Sequence, residues 1–174
     1  DLAALGVPTY ILPGPMAVLR AFLADPGGLL VSLGSTLAVT FVALAVAALL
    51  GGAMAIGMAA SRWAQAAIQP WAVALQVTPL PAIAPLIIIW VGDPFVSLVV
   101  CATIVAFFPL FANTATGLAS PPPELADLFR LYGAGRWTEM KLLRLPAALP
   151  YFLSGLRISG GLALVGAVVA ELVA

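Results

Sequence analysis

Between Asp25 and Arg62 the chain carries no charged residue. Within that interval, residues 29–59 are dominated by Leu, Val, Ala and Gly. A helix rising 1.5 Å per residue needs about 20 apolar residues to cross a hydrocarbon core about 30 Å thick. Inside lipid every backbone N–H and C=O must be paired, which leaves a helix as the simplest form for a single segment. The rest of the chain follows suit. Of its 174 residues, 63% are hydrophobic and 8% charged, against about 25% charged in a soluble domain. So few charges cannot cover a water-soluble surface of this size. The expectation is an all-α polytopic membrane protein.

Four apolar stretches read as transmembrane helices: 29–59, 70–92, 95–118 and 149–174. Ahead of them, residues 1–28 are broken by Pro8, Pro13, Pro15 and Pro26. Residues 15–24 between these breaks read as a short helix with Pro at its start and Met16, Leu19, Phe22 and Leu23 on one face. That pattern suits an interfacial helix lying on membrane lipid, or a solvated connector. In the first span, Gly51, Gly52 and Gly57 allow close approach of a second helix. The lone Cys101 sits in an apolar run as a small hydrophobe. With no His and no Cys pair, the sequence offers no metal site.

Polar and breaking residues inside the apolar stretches are the candidates for a translocation path. Pro79, Pro81 and Pro85 crowd into TPLPAIAPLIIIW and must kink their segment. Irregular backbone at membrane depth is tolerated only against protein or a water-filled path. Asn113, Thr114 and Thr116 need partners in lipid, so other helices or the path should supply them. Arg157 and Glu171 in the last stretch read either as interface anchors or as polar contacts lining the path.

The exception to this apolar character is Ser120 to Pro150. It holds Glu124, Asp127, Arg130, Arg136, Glu139, Lys141 and Arg144, half of the chain's formal charges. Two helices separate it from the loop at Arg62, so both loops face one side. Together they hold Arg62, Arg130, Arg136, Lys141 and Arg144, while the other side holds Arg20 and the acidic turn at Asp93. Cytoplasmic loops carry the Lys/Arg excess, which places 120–148 in the cytoplasm. With a net charge of zero, nothing points to nucleic acid. Pro123 should open a helix with Glu124 in its first turn, and Gly133 should end it. Leu125, Leu128, Phe129 and Tyr132 follow i, i+3, i+4, i+7 spacing and make one apolar stripe. A second helix over about 136–145 should stop before Pro146. Such a hairpin fits a groove on a soluble partner, or it is a loop packed on itself.

In this segment Gly133, Leu143, Leu145 and Pro146 stand at the spacings of the pattern E-A-A-x-x-x-G, followed further on by I-x-L-P. That pattern marks the permease subunit of bacterial binding-protein-dependent ATP-binding-cassette importers, which the chain resembles. Asp127, Leu128 and Phe129 occupy the E-A-A positions, so the acid is kept and bulk replaces alanine. LPGPMAVLRAF, LQVTPLPAIAPLIIIWVG, FFPLFANTATGL, YGAGRW, RLPAALPYFLSGLRI and VVAEL are similar to the branch that carries taurine, sulfonates, nitrate and thiamine precursors.

The resemblance implies a single transmembrane domain over 1–174 in a multi-pass protein of the bacterial inner membrane. It implies ATPase subunits, an extracytoplasmic substrate-binding protein and a second permease copy, as in a homodimer, as partners. ATP is then used by the partner, and this chain, which has no G-x-x-x-x-G-K-[ST] loop, binds no cofactor and is not itself an enzyme. Residues 120–148 become the cytoplasmic coupling loop. Its ATPase-coupling residues are Glu124, Asp127, Leu128, Phe129, Tyr132, Gly133, Ala134 and Arg136. The pathway candidates are Pro79, Pro81, Pro85, Asn113, Arg157 and Glu171. The family usually has about six spanning helices, so the chain reads as a fragment lacking the first and the last. Two other classes stay open. A secondary transporter would need ionisable groups within the membrane, and only Arg157 and Glu171 qualify. A non-transporting assembly subunit would need no path at all.

Overall fold

The computed structural model describes residues 14–77 and 79–173. The breaks expected at Pro8 and Pro13 lie outside the described residues, as does the side chain of Arg62. Every described element is helical: α1 Pro15–Ala24, α2 Pro26–Ala60, α3 Arg62–Val77, α4 Leu80–Val91, α5 Pro94–Ala119, α6 Pro123–Leu131, α7 Arg136–Glu139, a π turn over Met140–Arg144, and α8 Leu145–Val173. Among the described residues, three stretches are long and apolar enough to cross a membrane: Pro26–Ala60, Pro94–Ala119 and Arg136–Val173.

The chain divides into two compact units, one ending at Leu37 and one beginning at Ala38. In the first, α1 buries none of its residues, and Met16, Leu19, Phe22 and Leu23 are all exposed. Pro15 opens α1 in its first turn, where its missing N–H costs nothing. The Asp25 carboxylate accepts a hydrogen bond from the Gly28 N–H at 2.9 Å and so caps the start of α2.

The second unit holds the core, and α5 with α8 forms its centre. The α8 residues facing inward are Ala148, Gly155, Ser159, Ala163, Gly166, Ala167 and Ala170. They recur at helical spacing along one face, and all are small, so the two backbones come close. A methyl group added at Gly117 would sit 2.8 Å from the Ala148 Cα; at Gly166 it would sit 3.0 Å from the Ala102 Cα. Gly117 faces Ala148 and Gly166 faces Ala102, so the helices run antiparallel. The Ser159 hydroxyl donates to the Ala106 carbonyl at 2.6 Å, a polar tie across an otherwise apolar seam. The second half of α2 joins through Gly51, whose added methyl would meet the Phe111 N at 3.3 Å. Gly57 makes no such approach. Cys101 is fully buried beside Leu80, Ala84 and Ala170, as a small hydrophobe should be.

Two expectations change. The single helix expected over 70–92 is two, α3 and α4. Pro70 does not start a helix but lies inside α3, which begins at Arg62. Pro79 is the cap of α4 and Pro81 stands in its first turn, where proline is tolerated. At 12 residues α4 is about 18 Å long, too short to span alone. The second change is at Pro146. The helix starting at Arg136 does not stop there but runs on into α8, so the last helical segment begins well before residue 149. A π turn makes this possible: the Leu145 N–H donates to the Met140 carbonyl, five residues back. The widened turn carries the chain past Pro146, which has no N–H to give and whose ring would crowd a regular preceding turn.

Candidate functional site

The polar segment between α5 and α8 is the candidate site. Pro123 stands in the first turn of α6, with Glu124 beside it near the positive helix end. At the other end the Gly133 N–H donates to the Arg130 carbonyl at 3.0 Å, and the Ala134 N–H to the Phe129 carbonyl at 2.9 Å. Gly133 has φ +70°, the left-handed conformation that closes a helix in this bonding pattern. An added methyl there meets nothing within 4 Å, so the glycine answers a backbone need and not a packing one.

The apolar stripe of α6 points outward. Leu125 is 43% exposed, Leu128 45% and Tyr132 84%; Phe129 is half-buried. Within this chain those side chains find no cover. Asp127 accepts from the Arg130 Nη1 at 3.0 Å, both side chains about two-thirds exposed. Such a pair contributes a few tenths of a kcal/mol, so it orients charges more than it holds the helix.

Behind α6 lies a second pair, which sequence reasoning missed. Arg144 donates from Nε and Nη2 to the Glu139 Oε1 at 2.9 and 2.7 Å. Glu139 is buried at 7% exposure. Residues five apart lie about 140° apart on an α-helix and do not meet. The π turn between them brings them together. Lys141 Nζ lies 5.2 Å from the Trp137 ring centroid, within cation–π range. Clefts beside these groups share Arg130 and Arg144, and one of them also draws in Ser61 and Gln65. The loop around Arg62 and the polar segment therefore meet at one end of this unit, as the helix count required.

The pathway candidates are not gathered in one place. Pro79, Pro81 and Pro85 are exposed along the start of α4. Arg157 and Glu171 are exposed on α8, about 21 Å apart along its axis. On α5 the Thr103 hydroxyl donates to the Ala43 carbonyl of α2 at 3.4 Å, but three other polar side chains bond within their own helix. Asn113 donates to the Pro109 carbonyl at 2.7 Å, Thr114 to Leu110 at 2.6 Å and Thr116 to Ala112 at 2.9 Å. Each is satisfied by its own preceding turn, which corrects the expectation that neighbouring helices or a path must supply their partners. Among the described residues no group of acidic and Cys side chains is placed to hold a metal ion.

The charged segment is thus held between two stretches long and apolar enough to cross a membrane, α5 and the helix that ends in α8. A family model described as "Binding-protein-dependent transport system inner membrane component" matches residues 47–174, more than half of the chain. The chain belongs to that family and is a multi-pass inner-membrane protein. It is 37% identical to the riboflavin transport system permease protein RibX of Chloroflexus aurantiacus, over 97% of this chain and 64% of that protein. It is 34% identical to the formylaminopyrimidine transport permease protein ThiX of Halalkalibacterium halodurans, over 93% of this chain and 65% of that one. To the taurine transport system permease protein TauC of Escherichia coli it is 30% identical, over 94% and 62%. The chain thus spans just under two thirds of the length of these relatives.

Proposed function

We propose that this chain is the membrane part of a permease subunit in an ATP-driven importer, and that residues 123–145 receive the driving force from an ATPase partner. The observation that carries the reading is the outward apolar stripe Leu125, Leu128 and Tyr132 on a helix held at both ends by spanning helices. Exposed apolar side chains on a short, capped helix are what a groove on a soluble partner takes up. Asp127 and Gly133 form the docking centre. Leu128, Phe129 and Tyr132 supply the contact, with Glu124, Ala134 and Arg136 at its edges.

The helix from Arg136 to Val173 has no break, so motion of the docked end passes directly into α8 and, through the close seam, into α5. The path then opens alternately to either side, with Pro79, Pro81, Pro85, Asn113, Arg157 and Glu171 as its candidate lining. An extracytoplasmic binding protein delivers the solute, and a second permease copy completes the path. ATP is hydrolysed by the partner subunit. The solute is small, in the range of a sulfonate, nitrate or thiamine precursor. The names of the relatives, riboflavin, formylaminopyrimidine and taurine, favour an organic one.

The test is Gly133→Trp in the assembled transporter. A bulky ring would stand in the docking surface and strain the positive φ, so uptake of the binding protein's solute should fall at least tenfold (about 1.4 kcal/mol) while the permease still inserts. Uptake at the normal rate would refute the docking assignment.

A further inference from the structure

We propose that the cleft between the polar segment and the adjoining ends of α2, α3 and α5 is a binding site for a phosphate group at the cytoplasmic membrane surface. The cleft has a volume of about 320 Å³ and is lined by Arg130, Arg136 and Arg144 together with Ser61 and Gln65. No carboxylate is among its lining residues. The three arginines all stand on the polar segment, and the fold brings the distant Ser61 and Gln65 to them.

The donor inventory favours an anion. Each guanidinium has five N–H donors. Arg144 commits Nε and Nη2 to Glu139, and Arg130 commits Nη1 to Asp127. Their other donors remain available. For the Arg136 side chain no hydrogen bond or ion pair is found among the described residues, and it is exposed. Two carboxylates thus serve three guanidinium groups, which leaves one positive charge without a counter-charge. The buried Glu139 carboxylate fixes Arg144 from behind, so that cation is positioned before any ligand arrives. A tetrahedral phosphate matches the planar fork of arginine and can bridge several guanidinium groups.

The location fits as well. The cleft lies where α2 and α5 end, and Met58 and Leu118 add apolar lining beside the charges. Basic pockets between membrane helices on the cytoplasmic side are suited to anionic headgroups. The site adjoins the proposed docking surface, sharing Arg136 at its edge, but none of Leu125, Leu128 and Tyr132 lines it. The phosphate could come from an anionic phospholipid or from solution.

The experiment uses the full-length permease, without ATPase, in nanodiscs. Discs of phosphatidylcholine alone are compared with discs containing phosphatidylglycerol, and separately with phosphatidylcholine discs in millimolar inorganic phosphate. Thermal unfolding and native mass spectrometry read binding. A rise in Tm with phosphatidylglycerol and retained lipid, both weakened about tenfold in Arg136→Gln, assigns the site to a headgroup. The same result with inorganic phosphate assigns it to a soluble ligand. Arg130→Gln, at an exposed pair, should weaken either effect independently. If neither probe raises Tm, or if the rise survives in both variants, the proposal is overturned.

Discussion

The seam between α5 and α8 and the polar segment that joins them are built on opposite terms. In the seam, Gly117, Gly155, Ser159 and Gly166 let two backbones touch, and large side chains are kept out. In the segment, Leu125, Leu128, Leu131 and Tyr132 are held out into solvent. Lipid gives apolar side chains no reason to leave it, so membrane helices associate through close van der Waals contact and a few polar ties. Water does the reverse: it penalises each exposed Leu. The seam is thus finished within this chain, while the segment leaves apolar surface uncovered. A substitution in the seam should cost stability, and one in the segment should cost coupling.

The harshest test of that division is Gly117→Leu. Its Cβ alone would lie 2.7 Å from the Tyr151 Cβ and 2.8 Å from the Ala148 Cα, with backbone on one side and no flexible tip to yield. We expect a loss of about 3 kcal/mol or more, read as a lower unfolding temperature in detergent and less protein in the membrane. Next comes Glu139→Gln, which leaves the Arg144 charge half-buried without its counter-ion. The expected loss is about 2 kcal/mol, with stability partly restored in the double variant Glu139→Gln, Arg144→Gln, where the net charge returns to its original value. That pair lies in the polar segment yet behaves like the seam, so it marks where the rigid part begins. Gly133→Ala should cost about 1 kcal/mol through its positive φ, with room for the methyl itself. The smallest effect is expected for Asp127→Asn, below about 0.5 kcal/mol in unfolding, since its ion pair is two-thirds exposed. If uptake nevertheless collapses in that variant, the segment is a contact surface; if both stability and uptake are untouched, Asp127 is only a solvated charge.

The parts of the fold legible in the sequence were those with local chemical marks. Pro123 and Gly133 bounded α6 because proline fits the first turn and glycine the left-handed cap. Charge bias and helix count put the Arg62 loop and the polar segment at one end, and the cleft that both line agrees. Where proline signals failed, the reason was position. Pro70 read as a start and Pro146 as a stop, yet each is carried inside a helix, Pro146 beside a π turn that makes room for it. The seam was illegible because Gly and Ala occur throughout this chain, and nothing local says which of them meet. Gly51 closes on Phe111 and Gly57 on nothing, although both stand in the same helix. The Glu139–Arg144 pair was hidden for a related reason: their spacing is wrong for an α-helix, and no local mark in the sequence announced the π turn.

That π turn has a rotational consequence. A π turn holds one residue more than the α turn it replaces, and each residue of an α-helix advances about 100° around the axis. If Met140–Arg144 tightened to α geometry, with Leu145 taking its bond from Lys141 in place of Met140, everything ahead of it would swing about 100° relative to α8. Trp137, Arg136 and the attached α6 would then present a different bearing to whatever holds them, while the seam with α5 stayed in register. The bearing of α6 relative to α8 is therefore set by one widened turn. A proline-free, fully α variant of residues 139–147 would turn α6 by that amount relative to α8.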